Sequence, residues 1–263
     1  MSKYVAIKGQ EVGEASQYKL RVEYSEKEAN SPYWNTLDLN LKNATIKAMR
    51  MVDVRPIIEK YEWLGKMAAV NKYAFGIFFK DTVTGVEVCG GVVTFGPEYS
   101  ENLGVWDKYG YTSKLILLSR GVCLHWCPKN TNSKLVMGAI NLLPKQYEIV
   151  TCTTDHTAGE IGTIYQACNF HYVGAMNDSN PNIKGKPRLR FAVLIDGKIY
   201  GSRSIRKIVG SQKKEDILKR FPNAEFIKQQ TKHRYFYFTT NKKKHLKTIE
   251  HLVKPYPKRK IVK

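Results

Sequence analysis

Two polar residues ten positions apart, Asp155 and Tyr165, are the best candidates for proton chemistry in this sequence. Asp155 follows the run Tyr147–Thr153, whose β-branched and aromatic residues read as a strand. Sites in α/β sheets gather at strand ends of this kind. Tyr165 lies on an apolar-periodic stretch through Ile161, Ile164 and Cys168, which reads as a helix. A carboxylate so placed can accept a proton or orient an amine, and a phenol can donate one. The competing assignment, a helix-capping Asp beside a half-buried Tyr, is favoured by spacing alone.

Other groups offer weaker chemistry. Asn130, Thr131, Asn132 and Ser133 precede an apolar helix, Leu135 to Leu143, that Pro144 stops. Backbone N–H groups at such a helix start can cradle a phosphate, which makes these four the candidate cofactor-binding residues. An ordinary capped helix accounts for them equally well. Cys123-x-His125-x-Cys127 puts three soft ligands on one strand face, but a fourth ligand at zinc-like spacing is missing, so no metal is expected. The His-x-Glu and Pro-Cys-x-x-Cys pairs of zinc deaminases are absent. The five cysteines lie in or beside apolar segments and read as reduced, mostly buried thiols.

Charge is distributed unevenly. The net charge is +20, yet residues 1–183 carry 19 Lys+Arg against 18 Asp+Glu, while residues 184–263 carry 24 against 5. A block of that sign attracts a polyanion through counterion release. Arg203, Arg206 and Lys207 form one cluster, Lys232 and Arg234 another, and Lys258, Arg259 and Lys260 a third. These are the candidate nucleic-acid-binding residues, double-stranded DNA being the expected partner; a charge-protected sheet edge is the alternative. The start of the chain leads into Gly and Glu rather than an apolar run, and no apolar stretch is long enough to cross a membrane. A cytoplasmic protein with no membrane partner is expected, and a homodimer is left open.

The elements that must position these groups follow from periodicity. Tyr18–Tyr24 alternates like a strand, and Asp53 caps a helix running to Leu64 and ended by Gly65. Tyr73–Phe79 and Val86–Phe95 form a hairpin around Asp81–Gly85, with Gly90-Gly91 marking a bulge or a close backbone approach. Leu115–Leu118 is a strand, the helix and strand described above follow, and Phe170–Val173 is another strand. Beyond residue 184, Phe191–Ile195 and Tyr235–Phe238 read as strands, Asp196-Gly197 as a hairpin turn, Lys213–Phe221 as a helix, and Lys254–Lys260 as an extended basic arm. This gives an α/β (α+β) fold, a mixed central β-sheet flanked by helices. The division expected is an N-terminal extension over 1–50, a core over 51–183 and a basic region over 184–263 packed on the core. The order helix, hairpin, strand, helix, strand, helix, strand is similar to that of the acetyltransferase (GNAT) superfamily, although its Arg/Gln-x-x-Gly-x-Gly/Ala pattern is absent.

Several segments together resemble the Mom family of phage DNA-modification proteins. They are Tyr61-Glu-Trp-Leu-Gly-Lys66, Phe75–Phe79, Gly90–Gly96, Leu118-Ser-Arg120 with Asn130–Ser133, and Thr154-Asp155 with Gly159, Gly162, Ile164–Ala167, Asn169 and Tyr172–Gly174. Gly201-Ser-Arg203, Lys213–Phe221 and Lys232–Tyr235 complete a resemblance over roughly residues 55–240. It implies a GNAT-like transferase that puts a carbamoylmethyl-like group on the N6 amine of adenine in DNA and hides phage DNA from host restriction. It also implies catalytic roles for Asp155 and Tyr165 and an acyl donor such as acetyl-CoA. Where the family often has His-Tyr, this chain has Glu62-Trp63; Glu62 is the candidate base there and Trp63 the candidate stacking platform. The alternatives are another acceptor amine, in a hypermodified pyrimidine or tRNA, and a DNA-binding protein without catalysis.

Overall fold

The computed structural model describes residues 15–31, 33–98, 106–107, 109–175, 191–196, 198–228 and 232–258. In chain order the elements are α1 (Ser16–Lys27), β1 (Thr45–Ala48), α2 (Met51–Tyr61), β2 (Tyr73–Lys80), β3 (Glu87–Gly96) and β4 (Leu115–Cys123). Then come α3 (Thr131–Asn141), β5 (Ile149–Thr154), α4 (Thr163–Ala167), β6 (His171–Ala175), β7 (Phe191–Ile195) and β8 (Lys198–Tyr200). The chain continues with α5 (Ser202–Val209), α6 (Lys214–Arg220), β9 (Glu225–Lys228), β10 (His233–Phe238) and α7 (Lys242–Ile249).

Seven strands form one mixed sheet in the order β1-β2-β3-β4-β5-β10-β6. Among the described residues its parallel pairing is confined to β4 and β5, from Leu115↔Ile149 to Leu117↔Thr151. Past that point each strand keeps only its outer neighbour. β4 stays on β3 as far as Cys123↔Gly91, and β5 stays on β10 as far as Thr154↔His233. The sheet therefore forks between β4 and β5 at their C-terminal ends, where α/β sheets characteristically hold ligands.

Helices cover both faces. Alternation along β2 sends Phe75, Ile77 and Phe79 to the face on which α3 packs Leu135, Val136, Ala139 and Ile140. It sends Ala74 to the opposite face, against Val54 and Ile58 of α2. Each such side chain removed from water contributes on the order of 1.5–3 kcal/mol. The expected hairpin is present, and Gly90 is its extra residue, since Ile77 pairs with Gly91 and Phe78 with Cys89. A Cβ at Gly91 would lie 2.6 Å from the Cys123 sulfur, so the position requires close backbone approach.

Two expected elements differ. Tyr18–Tyr24 is helix, not strand. The face α1 turns to the protein is Gln17, Arg21, Tyr24 and Glu28, at helical spacing but polar, so hydrophobic alternation misread it. The helix expected to run to Leu64 ends at Tyr61, and Glu62 turns to extended backbone at ψ 134°.

The expected boundaries also differ from the compact units observed. Met1–Ser179 and Lys232–Lys263 form one unit, and Asn180–Thr231 a second. The basic stretch 184–263 is thus split, because β10 inserts between β5 and β6 of the first unit. The terminal segment is docked on that unit as far as Pro257: the Lys254 amide donates to Tyr172 O, the Tyr256 hydroxyl to Phe170 O, and Gln166 Nε2 to Pro257 O. The second unit has its own sheet, β8-β7-β9, and its own core of Val193, Ile195, Ile205, Ile217 and Ala224. Ile195 pairs with Lys198 across the expected two-residue hairpin turn.

Arg234 corrects an expectation. It is 1% exposed and cannot reach a phosphate backbone. Its guanidinium is ion-paired to the buried Glu98 carboxylate and donates to Thr151 Oγ1 at 2.7 Å. Removing one partner leaves a buried charge, so Glu98→Ala should cost about 3–5 kcal/mol in urea unfolding, while Glu98→Leu with Arg234→Met should recover most of it. A single-variant loss of a few tenths of a kcal/mol would show that the pair does not hold β10.

Candidate functional site at the fork of the sheet

β10 antiparallel to β5 sets Thr154 opposite His233, so the dipeptides Asp155-His156 and Lys232-His233 lie side by side. Their side chains part by type. His156 and His233 are buried and stack with ring centroids 3.5 Å apart. His233 Nδ1 also meets the Tyr172 hydroxyl. Asp155 and Lys232 remain more open, with Lys232 Nζ 3.9 Å from Asp155 Oδ2 and side-chain exposures of 52% and 16% for the Lys and the Asp. Lys232, expected on a nucleic-acid surface, stands instead in the fork.

Glu62 approaches the same ammonium. It is buried, its Oε2 accepts from the Leu64 amide at 3.1 Å, and α1 fixes its neighbours. Gln17 donates to Tyr61 O at 2.8 Å and accepts from the Trp63 amide at 3.0 Å. Burial pushes the Glu62 carboxyl up, against the opposing pull of Arg120, the Leu64 and Gly65 amides and Lys232. Arg120 is held where β4 bulges. Thr94 pairs with Arg120 and Phe95 with Leu118, leaving Ser119 as the extra residue. Arg120 Nε donates to Lys66 O at 2.8 Å. Glu62 thus feels the charge of both cations, Arg120 more than Lys232. Trp63 is half-buried beside them in sequence.

Tyr165 lies at the other side of β5. The residue is half-buried and packs on the core, with Cys152, the first β5 residue past the last pair with β4, among its neighbours. Burial first, and then the neighbouring Cys152 and Glu160, push the phenol well above its ordinary range, so it keeps its proton at neutral pH. The loop before α4 is set by Gly162 at φ +74°. A Cβ there would meet the Tyr235 ring at 2.6 Å, and the Tyr235 hydroxyl donates to Ile161 O at 2.6 Å.

The candidate phosphate cradle is formed differently from expectation. The helix α3 starts at Thr131, and Asn130, not Ser133, is its N-cap, at φ 71° with no side-chain cap. Thr131 is buried and its hydroxyl donates to Pro128 O at 2.7 Å. The amides of Asn132 and Ser133 are among those a helix leaves without internal acceptors, and the first turn carries no acidic residue. These residues fit a phosphate-bearing donor. No cluster of three or more His, Cys, Asp or Glu able to hold a metal occurs among the described residues. In the Cys-His-Cys stretch the thiols are free, and His125 lies 3.8 Å from Glu28.

Of the other expected cations, Arg206, Lys207 and Lys258 are exposed. Arg259, Lys260 and the Arg203 side chain lie outside the described residues. The sequence reading missed Arg120 and the His156–His233 stack. The doubled signal, a His directly after Asp155 and another directly after Lys232, was present, but only the strand register joins them. No helix among the described residues is long and apolar enough to cross a membrane.

A mixed sheet with helices on both faces, parted at its parallel pair with polar groups at the opening, defines the α/β class of this protein. Within that class the chain belongs to the Mom protein family, whose model matches residues 43–258. Among solved structures it is similar to a probable acetyltransferase from Staphylococcus epidermidis ATCC 12228, with 13% identity, 75% of this chain and 99% of that chain covered, and a TM-score of 0.38. It is also similar to the dodecameric spermidine N-acetyltransferase of Vibrio cholerae, with 10% identity, 76% and 96% coverage, and a TM-score of 0.37. No curated protein sequence matches the chain.

Because burial raises the Glu62 carboxyl, the folded chain holds that proton more tightly than the unfolded one. Its stabilising contribution is full below the unfolded value of about 4.3 and is lost as pH rises through the folded value. Glu62→Gln cannot ionise. Its urea midpoint should exceed the wild-type midpoint at about pH 7 and match it at about pH 3.5. The same gap at both pH values would contradict the assignment.

Proposed function

We propose that the chain is a transferase acting on DNA, adding a small acyl-derived group of the carbamoylmethyl kind to the exocyclic N6 amine of adenine. The observation that supports it best is the approach of Lys232 Nζ to Asp155 Oδ2, 3.9 Å, at the open end of the sheet. An exocyclic purine amine is a poor nucleophile, because its lone pair is delocalised into the ring. An enzyme must take the base out of the stack, orient the amine and accept its proton. Asp155 accepts that proton. Lys232 draws the carboxylate to one side by Coulomb attraction and so orients it. Tyr165 holds a proton on its buried hydroxyl, ready for the leaving atom. Trp63 offers a ring on which a flipped base can stack.

A CoA-type acyl donor, its phosphates held by the amides of Asn132 and Ser133 at the start of α3, would supply an acyl carbon to the amine as the thiolate leaves; a carbamoylmethyl product would need in addition a co-substrate that brings the amide nitrogen. In this reading the gene product works in the bacterial cytoplasm and shields phage DNA from host restriction. Glu62-Trp63 in place of His-Tyr favours a second reading, the same chemistry on another amine in a hypermodified pyrimidine or tRNA.

Nucleoside mass spectrometry of DNA and RNA from expressing cells separates these readings. A new adenosine species is expected, reduced by about 10²–10⁴-fold in Asp155→Ala and in Tyr165→Phe, the range lost with a general acid or base. A modified pyrimidine or RNA nucleoside would move the reading to the second substrate. A new species undiminished by both substitutions would remove these residues from the chemistry.

A further inference from the structure

We infer that the inserted unit, residues 180–231, is a docking module for duplex DNA whose helix pair grips the phosphate backbone. The choice of DNA rests on the reading above; the existence of a polyanion-binding module does not. The unit leaves the core sheet after Ala175 and the chain re-enters it at His233, and these two residues pair with each other. The insertion is therefore unnecessary to the sheet, which would close as well over a tight hairpin. A solvated loop would serve if only a connection were needed. Instead the insertion carries a separate core and a separate three-stranded sheet.

Its charge has one sign. Residues 180–231 hold 13 Lys+Arg and 4 Asp+Glu, a net charge of +9. Three of the four acidic residues occupy structural positions. Glu215 and Asp216 stand in the first turn of α6, where they complement the helix dipole. Asp196 makes the hairpin turn at φ 48°. Lys214 is partly structural, with its ammonium over the Phe191 and Phe226 rings. The two helices meet at a short turn beginning at Gly210, which is left-handed at φ 81°. Among the described side chains α5 buries Ile205 and α6 buries Ile217, while Arg206, Lys207, Lys219 and Arg220 point to solvent. Cations displayed from a small folded scaffold supply sequence-tolerant affinity through counterion release. A protein substrate would not require so uniform a surface.

The test uses the full chain, in wild-type and Asp155→Ala forms, and a labelled DNA duplex, with binding read by anisotropy over a salt series. Arg206→Gln with Lys207→Gln, and separately Lys219→Gln with Arg220→Gln, should each reduce the slope of log affinity against log salt by about two and weaken binding about tenfold or more. Lys243→Gln with Lys244→Gln, two exposed cations of α7, is the charge-matched control and should change neither appreciably. Equal losses from all three pairs would overturn the proposal by reducing it to net charge. Tighter binding to an RNA hairpin, weakened by the same unit variants, would overturn the choice of duplex DNA. Docking through these residues by a chain that yields no modified nucleoside would sink the transferase reading and leave this one standing.

Discussion

Arg234 points into the sheet from β10 and meets Glu98 and Thr151 in a buried pocket. Such a pair contributes little net stability, because desolvating both charges offsets most of their attraction. What it does contribute is register. A one-residue slip of β10 would turn Arg234 to the opposite face, among Cys152 and Tyr172, and leave Glu98 buried without its cation. The cost of those two unpaired charges far exceeds that of any local rearrangement. Thr151 is also the last β5 residue paired with β4, so the guanidinium is fastened at the point where the sheet begins to open.

Everything at the fork follows from that register. With Arg234 opposite Thr153, His233 falls opposite Thr154, and Lys232 is carried to Asp155. The stacked His156 and His233 rings fill the buried side of the same two dipeptides, and Tyr172 closes over His233 from β6. Asp155 and Lys232 thus stand one residue past the paired ends of β5 and β10, backed by packed rings. The return of the chain after the inserted unit is what completes the site.

Much of the core was legible in the sequence because its burial is apolar and periodic. The hairpin, the bulge at Gly90, and the strand–helix order through residue 175 follow from alternation and from turn residues. The α1 helix was not legible because its inward face is polar, and β10's place in the sheet was not because a second unit of 52 residues separates it from β6. Lys232 and Arg234 sit in one basic run, yet one residue is half-exposed in the fork and the other fully buried. Composition reads such a run as a phosphate-binding patch. Strand alternation would have put residues 232 and 234 on one face; they part because β10 begins at His233, which leaves Lys232 outside the strand.

Glu62 shows what the site tolerates for the sake of its geometry. A carboxylate taken out of water is costly, and here the compensation is incomplete, since burial outweighs Arg120, two backbone amides and Lys232. The strain is borne by α1, which has no buried residue of its own and spends its side chains on the Tyr61–Trp63 segment and on the carbonyls of His125 and Cys127. A helix held by polar contacts alone is a weak structural element but a good clamp, because each contact is directional. Residues 16–28, outside the span matched by the family, thereby fix the segment that carries Glu62 and Trp63.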